Sequence, residues 1–268
     1  MHIFCMPRAH RHFIPGHIWH LTHRCHNKQF LLDVSTDRAS WTRWAREAKK
    51  RFGFCILDYC ITGNHVHVIV RDVGDKDTIA RSMQLIAGRT AQEYNERKKR
   101  FGAFWEDRYH ATAVESGSHL MKCIAYIDLN MVRAGVIEDP LEWQWGGYHD
   151  IQSGRRRNQI IDYAEAMRVL SVSTMEELQL LQKRLVADAI RAGLTRQPEW
   201  TEAVAVGSRS YVESVAQSLG DRIGRRLPLQ SGDSFLLREP TALYGGENSP
   251  EIASIRGENT LSWRVGSL

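Results

Sequence analysis

Ile61-Thr62-Gly63-Asn64-His65-Val66-His67-Val68-Ile69-Val70 is the stretch whose reading decides the fold. A strand sends successive side chains to opposite faces, so His65 and His67 share one face while Val66 and Val68 take the other. Thr62-Gly63-Asn64 is turn chemistry, and the apolar run Phe54 to Ile61 precedes it. Together they predict a strand, tight turn, strand hairpin over residues 54–71. The histidines then stand at the start of the second strand, two nitrogen ligands brought together without a loop. A histidine pair on a sheet face is more often packed or solvated than metal-bound, so a metal centre needs a third group from elsewhere.

Upstream, Gly16 to Cys25 predicts a first strand after a basic arm, ending in the polar turn His26-Asn27-Lys28. His17, His20, His23 and His26 recur every three residues beside Cys25. Strand alternation lets only His17 with His23, or His20 with His26, share a face, and the ligand spacings of zinc modules are not met. Solvated or DNA-facing histidines are expected there. Ser35-Thr36-Asp37 opens a helix whose Trp41, Trp44, Ala45 and Ala48 lead to the basic end Lys49-Lys50-Arg51. Downstream, Asp77 or Thr78 caps a second helix with Ile79, Met83, Ile86 and Tyr94 on one side. It ends in Arg97-Lys98-Lys99-Arg100, a run suited either to solvent or to phosphates. Phe104 to Val114 predicts a strand, and Ser118 to Val132 a third helix stopped by Gly135.

The order strand, helix, strand, strand, helix, strand, helix predicts an α+β fold: an antiparallel sheet with helices on one face, of ferredoxin-like or split βαβ type. Leu141 to Tyr148 reads as an aromatic lid closing the core, and Gly154-Arg155-Arg156-Arg157-Asn158 as an exposed basic linker. Tyr163–Leu170, Thr174–Ala192 and Trp200–Leu219 have helical periodicity, so a mainly helical C-terminal extension is expected. Little regular structure is expected from Asp221 onward.

Composition sets the outer bounds. The 268 residues can bury a core unaided, and 25% charged with 43% hydrophobic residues excludes a disordered or collagen-like chain. Lys+Arg 36 against Asp+Glu 31 gives a net charge of +5, a bias that suits a polyanionic partner. Five cysteines without a Cys-x-x-Cys pair fit reduced thiols. With no window of bilayer length, a soluble, cytoplasmic protein without a membrane partner is expected.

Tyr126 and Asn130 are four apart on the third helix and therefore on one face. His65, His67 and the Asn130 amide oxygen make a three-ligand set with open positions, suited to a divalent ion that bridges to a phosphate oxygen. Tyr126 supplies a nucleophile. A phenol of pKa about 10 is weak at neutral pH, but a nearby cation and a phosphodiester held in line favour its phenolate. On spacing alone, a core tyrosine and a helix-ending asparagine are the commoner reading of such a pair.

The His-hydrophobic-His strand, Trp105-Glu106-Asp107-Arg108-Tyr109, the run Tyr126-Ile127-Asp128-Leu129-Asn130-Met131-Val132-Arg133-Ala134-Gly135 and Trp143-Gln144-Trp145 follow in a set order. In that order they resemble the REP-associated single-tyrosine transposases of the His-hydrophobic-His (HUH) endonuclease superfamily. The resemblance covers roughly residues 7–150. It implies an HUH endonuclease core and a catalytic domain over residues 1–152, followed by a basic linker (153–159) and the extension (160–268). It further implies His65, His67 and Asn130 as metal ligands, Mg²⁺ or Mn²⁺ as the ion, and Tyr126 as nucleophile. Single-stranded or hairpin-flanked DNA would be cleaved through a transient 5′-phosphotyrosine and rejoined, by a monomer or homodimer. The chain departs from the family pattern at Met131, commonly Pro, and at Gly146-Gly147, commonly Ser-Ser. Two other functions fit the same residues: a non-catalytic DNA-hairpin-binding regulator derived from a transposase, and a metal phosphodiesterase that activates water.

Overall fold

Strands β1 (Ile18–Arg24), β2 (Cys55–Ile61), β3 (His65–Arg71) and β4 (His110–Val114) alternate with helices α1 (Ser35–Phe52) and α2 (Thr78–Arg97) in a βαββαβ order. The structure, a computed structural model, describes residues 14, 16–73, 75, 77–154, 159–220 and 228–238. Within the sheet these strands lie in the order β2-β3-β1-β4, every pair antiparallel, which is the predicted ferredoxin-like arrangement. The predicted hairpin forms as β2 and β3. Its two-residue turn Gly63-Asn64 is closed by the Thr62 amide donating to the His65 carbonyl at 2.9 Å.

Helices α1 and α2 pack together. The Trp105 indole stacks on His23, with ring centroids 3.9 Å apart, and donates to the Ala87 carbonyl of α2 at 3.0 Å. His23 pairs with Val66, so α2 lies over the face away from His65 and His67. The expected single helical face thus holds for the βαββαβ unit. The opposite face is covered by α3 (Ser118–Asp128), broken at Leu129 from the short α4 (Asn130–Arg133) where one longer helix was expected. The expected strand over 104–114 is regular only in β4; residues 104–106 run beside the end of β1, where the His26 amide donates to the Phe104 carbonyl at 2.8 Å.

The aromatic lid covers the outer edge of β2. The Ile61 amide donates to the Trp145 carbonyl at 2.9 Å and the Trp143 indole to the Ile61 carbonyl at 3.0 Å, so an edge that would otherwise offer unpaired backbone groups is closed. Helices α5 (Gly147–Ser153), α6 (Tyr163–Leu170) and α7 (Met175–Ala192) follow, α7 opened by Thr174 in a capping box with Glu177.

The extension is mainly helical but also adds three strands. Trp200–Leu219 is not one helical stretch: it divides into α8 (Glu199–Glu202), β5 (Ala203–Gly207) and α9 (Arg209–Leu219). Ala-Val-Ala-Val-Gly is buried throughout, and as a strand it pairs in parallel with β4, which outweighs the helical periodicity of its flanks. β6 (Leu229–Ser231) and β7 (Ser234–Arg238) form a hairpin within the tail expected to lack structure, and β7 pairs with β5. One seven-stranded sheet therefore runs through both parts of the chain. The basic arm (1–13), linker residues 155–158 and residues 239–268 lie outside the described residues. The four described cysteines, Cys25, Cys55, Cys60 and Cys123, are free and buried. Among the described residues no helix is long and apolar enough to cross a membrane.

Two carboxyls are buried between sheet and helix. Asp58 of β2 and Asp128 of α3 are both nearly inaccessible, and burial, with each other's charge, raises the pKa of Asp58 well above the usual range. Asp128 accepts from the Gln182 side chain of α7 at 2.9 Å. Gly147 is fixed by this neighbourhood: a Cβ there would overlap Asp58 Oδ1 and stand 3.2 Å from the Tyr59 amide nitrogen.

Two outcomes are expected. Gly147→Ala destabilises the protein by about 1–3 kcal/mol through overpacking, read by urea unfolding. The raised acid pKa gives a definite pH trend: stability is full while Asp58 is protonated in both states and falls as pH rises above the unfolded value of about 3.9. Asp58→Asn removes that loss, so unfolding midpoints measured between about pH 4 and pH 8 vary less than in the wild type.

Candidate active site

The register of β1 on β3 sets Arg24 opposite His65, Thr22 opposite His67 and His20 opposite Ile69, so all of these except Ile69 form one polar row on a single face. Over that row lie Tyr126 of α3 and Asn130 of α4. The Asn130 side-chain amide stands 3.1 Å from His67 Nε2, the His67 and Tyr126 rings are 6.1 Å apart edge to face, and those of His65 and His67 are 4.7 Å apart. All four residues singled out from the sequence thus come together.

Turn chemistry orients His65. Its Nδ1 lies 2.7 Å from Asn64 Oδ1 and 2.9 Å from Thr62 Oγ1. An amide oxygen can only accept, so Nδ1 carries the proton and Nε2 keeps a lone pair. Burial lowers the His65 pKa to about 4, helped by the charges of Arg24 and Arg133. His67 is lowered well below its ordinary value, first by burial and then by the neighbouring histidines. Both rings are therefore neutral at pH 7, the form in which imidazole binds metals.

The donor set fits a divalent ion. The His67 Nε2 lone pair faces Asn130, whose amide, turned about its last bond, offers an oxygen, and His65 Nε2 supplies a second bare nitrogen. Among the described residues no three His, Cys, Asp or Glu side chains are placed to hold an ion, and beside the two histidines the Asn130 amide oxygen would be the further donor. Nitrogen with amide oxygen, open positions and a phosphate partner suits an ion that tolerates mixed ligands.

Two further residues at the site escaped the sequence reading. Arg133 lies with its guanidinium carbon 4.0 Å from the centre of the Tyr126 ring. Burial raises the Tyr126 pKa, and the Arg133 charge opposes that rise. Its signal was the spacing 126, 130, 133, which keeps three side chains on one helix face across the break at Leu129. The second is His20, expected to be solvated or DNA-facing. It is wholly buried, and burial lowers its pKa to about 3. Only the strand register, which needs the partner strand, could have placed it. His23 lies on the far face and His26 in the turn after β1, so no zinc cluster assembles from that series.

Residues 14–130 match the family described as Transposase IS200 like. Over these residues, a little under half of the chain, the sequence is similar to that family. Proteins of that family are transposases, which act on DNA. No curated protein matches the chain. Among solved structures it is similar to a REP-associated tyrosine transposase bound to a REP hairpin, at 18% identity over 58% of this chain and 90% of that one, TM-score 0.47. It is also similar to a candidate transposase from Deinococcus radiodurans R1, at 13% identity over 42% of this chain and 89% of that one, TM-score 0.32. The matched region ends at Asn130, so Arg133 and the whole extension lie beyond it.

Removing the cation tests its effect on the phenol. Arg133→Met should raise the pH at which Tyr126 ionises, seen as a later rise in phenolate absorbance after subtraction of a Tyr126→Phe background.

Proposed function

We propose that this chain is an IS200-like transposase that nicks and rejoins single-stranded, hairpin-flanked DNA through a covalent link to Tyr126. The observation that carries the reading is the convergence of Tyr126, Asn130 and the two metal-ready histidines on one side of the sheet, with Arg133 against the phenol. The motif order resembling REP-associated transposases supports the choice of a hairpin substrate.

Tyr126 Oη attacks the phosphorus of a phosphodiester. The Tyr–O–P bond forms and the bond from phosphorus to the 3′ oxygen breaks; the phenolic proton passes to solvent and the leaving 3′ oxygen takes one up. The energy of the phosphodiester is kept in the 5′-phosphotyrosine, so a 3′-hydroxyl of another strand can reverse the step and join to the held end. Arg133 offsets the negative charge that grows on the phenol oxygen and the phosphate. Arg24 and its neighbours give the site a positive field suited to a nucleic acid backbone. His65, His67 and Asn130 would hold Mg²⁺ or Mn²⁺, which supplies Lewis-acid polarisation of a phosphate oxygen.

The Trp200 ring lies 6.4 Å from that of Tyr126, and a cavity of about 560 Å³ opens beside the pair, lined in part by Lys122, Arg133 and Gln197. Its walls come from α3, α7 and the α8 region, so the extension forms one side of the approach to the phenol.

The test is incubation of purified protein with end-labelled hairpin DNA and Mg²⁺ or Mn²⁺, followed by denaturing electrophoresis. A protein-linked label is expected, abolished by Tyr126→Phe, which leaves hairpin binding within about threefold because a hydroxyl carries no charge. His65→Ala should need at least about tenfold more Mn²⁺ for half-maximal cleavage. Cleavage without an adduct would point to water activation instead, and binding without cleavage to the regulator.

A further inference from the structure

We infer that His20 is a positioning residue that fixes the tautomer of His67, and that the backbone carbonyl of Trp200, in the C-terminal extension, fixes His20 in turn. The inference rests on the reading of His67 as a metal ligand.

The order of protons follows from geometry. His20 Nδ1 lies 2.8 Å from the Trp200 carbonyl oxygen, which can only accept, so that nitrogen bears the hydrogen. A neutral imidazole has one N–H, which leaves His20 Nε2 an acceptor. It stands 2.9 Å from His67 Nδ1, which therefore donates. His67 has then used its only N–H, and its Nε2 lone pair points at Asn130. The alternative tautomer of His67 would set two bare nitrogens against each other at His20. Thr22 Oγ1 approaches the same Nδ1 only to 3.5 Å, at the limit of a hydrogen bond, and cannot replace His20.

The carbonyl at the head of this chain is held firmly. The Thr112 hydroxyl of β4 bridges the Trp200 and Ala203 carbonyls at 3.2 and 2.6 Å, and the Trp200 indole donates to the Gln197 side chain at 2.7 Å. His20 is fully enclosed, so no solvent can stand in for either partner. A ligand whose remote nitrogen is locked in this way is oriented and made more basic toward an ion. The extension thus supplies the outer support of the metal site.

The full-length protein, free of metal and labelled with ¹⁵N in its imidazoles, gives the direct readout: long-range ¹H–¹⁵N spectra distinguish the two tautomers, with His67 assigned by its loss in His67→Gln. The wild type should show a protonated Nδ1 and a bare Nε2 at His67. His20→Leu should mix the two tautomers and weaken Mn²⁺ binding, followed by the electron paramagnetic signal of free Mn²⁺, by about 10–100-fold. His20→Gln, whose side-chain oxygen can accept where Nε2 did, should keep the tautomer and bind Mn²⁺ within about threefold of wild type. A wild-type His67 protonated at Nε2 would overturn the inference, as would His20→Leu with unchanged tautomer and affinity. Should His20→Leu fail to fold, the wild-type spectrum and His20→Gln decide. A wild type that takes up no Mn²⁺ yet keeps Nδ1 protonated removes the metal reading but upholds the relay.

Discussion

Antiparallel pairing of β1 with β3 is the constraint on which the rest of the site depends. Because the side-chain period is two, a slip of one residue would turn His67 into the hydrophobic layer beneath α1 and α2 and bring Val66 or Val68 to the face that Tyr126 covers. The register that avoids this is held at both ends. The Asn64 carbonyl accepts from the Cys25 amide at 2.8 Å near the turn, and the His17 carbonyl accepts from the Asp72 amide at 3.0 Å at the other end. Apolar residues on the far face, Trp19, Leu21, Val66, Val68 and Val70, are all nearly inaccessible, so a slip would expose them as well as lose the site. Burial of one face thereby fixes the chemistry of the other.

Much of this was legible in the sequence where a local period or a turn carried it. The hairpin and the two amphipathic helices of the βαββαβ unit are short-range signals, and each sits where its residues put it. Tyr126 and Asn130 share a face because both lie within one turn of each other, and that survives the break at Leu129. What escaped was long-range. β5 is only five residues, and Ala203 to Gly207 becomes a strand because β4 offers an open edge, information held nearly a hundred positions away. His20 escaped for the same reason: its three-residue repeat with His17, His23 and His26 invited attention to the series, whereas the residue that matters to it faces it from another strand.

Gly147 shows how a departure from a family pattern can have a local cause. A serine there would meet Asp58, and Asp58 in this chain faces Asp128 across the sheet-helix boundary. The glycine is explained by a buried acid pair, with no appeal to the DNA that the protein recognises. The same pair is tied through Gln182 to α7, so helices of the extension and the core share one polar contact inside an otherwise apolar layer.

The separation of His20 from Trp200 by 180 positions has a consequence in time. A ribosome adding about 5–20 residues per second delivers the βαββαβ unit and Tyr126 first and the α8 carbonyl roughly 4–15 s after Tyr126. Through that interval the nascent chain holds both histidines and the tyrosine but lacks the acceptor at the head of the proton order and the strand that closes the edge of β4. The part of the protein that matches the family is made before the geometry that completes it, so a chain interrupted between Asn130 and Trp200 carries the motifs without their support.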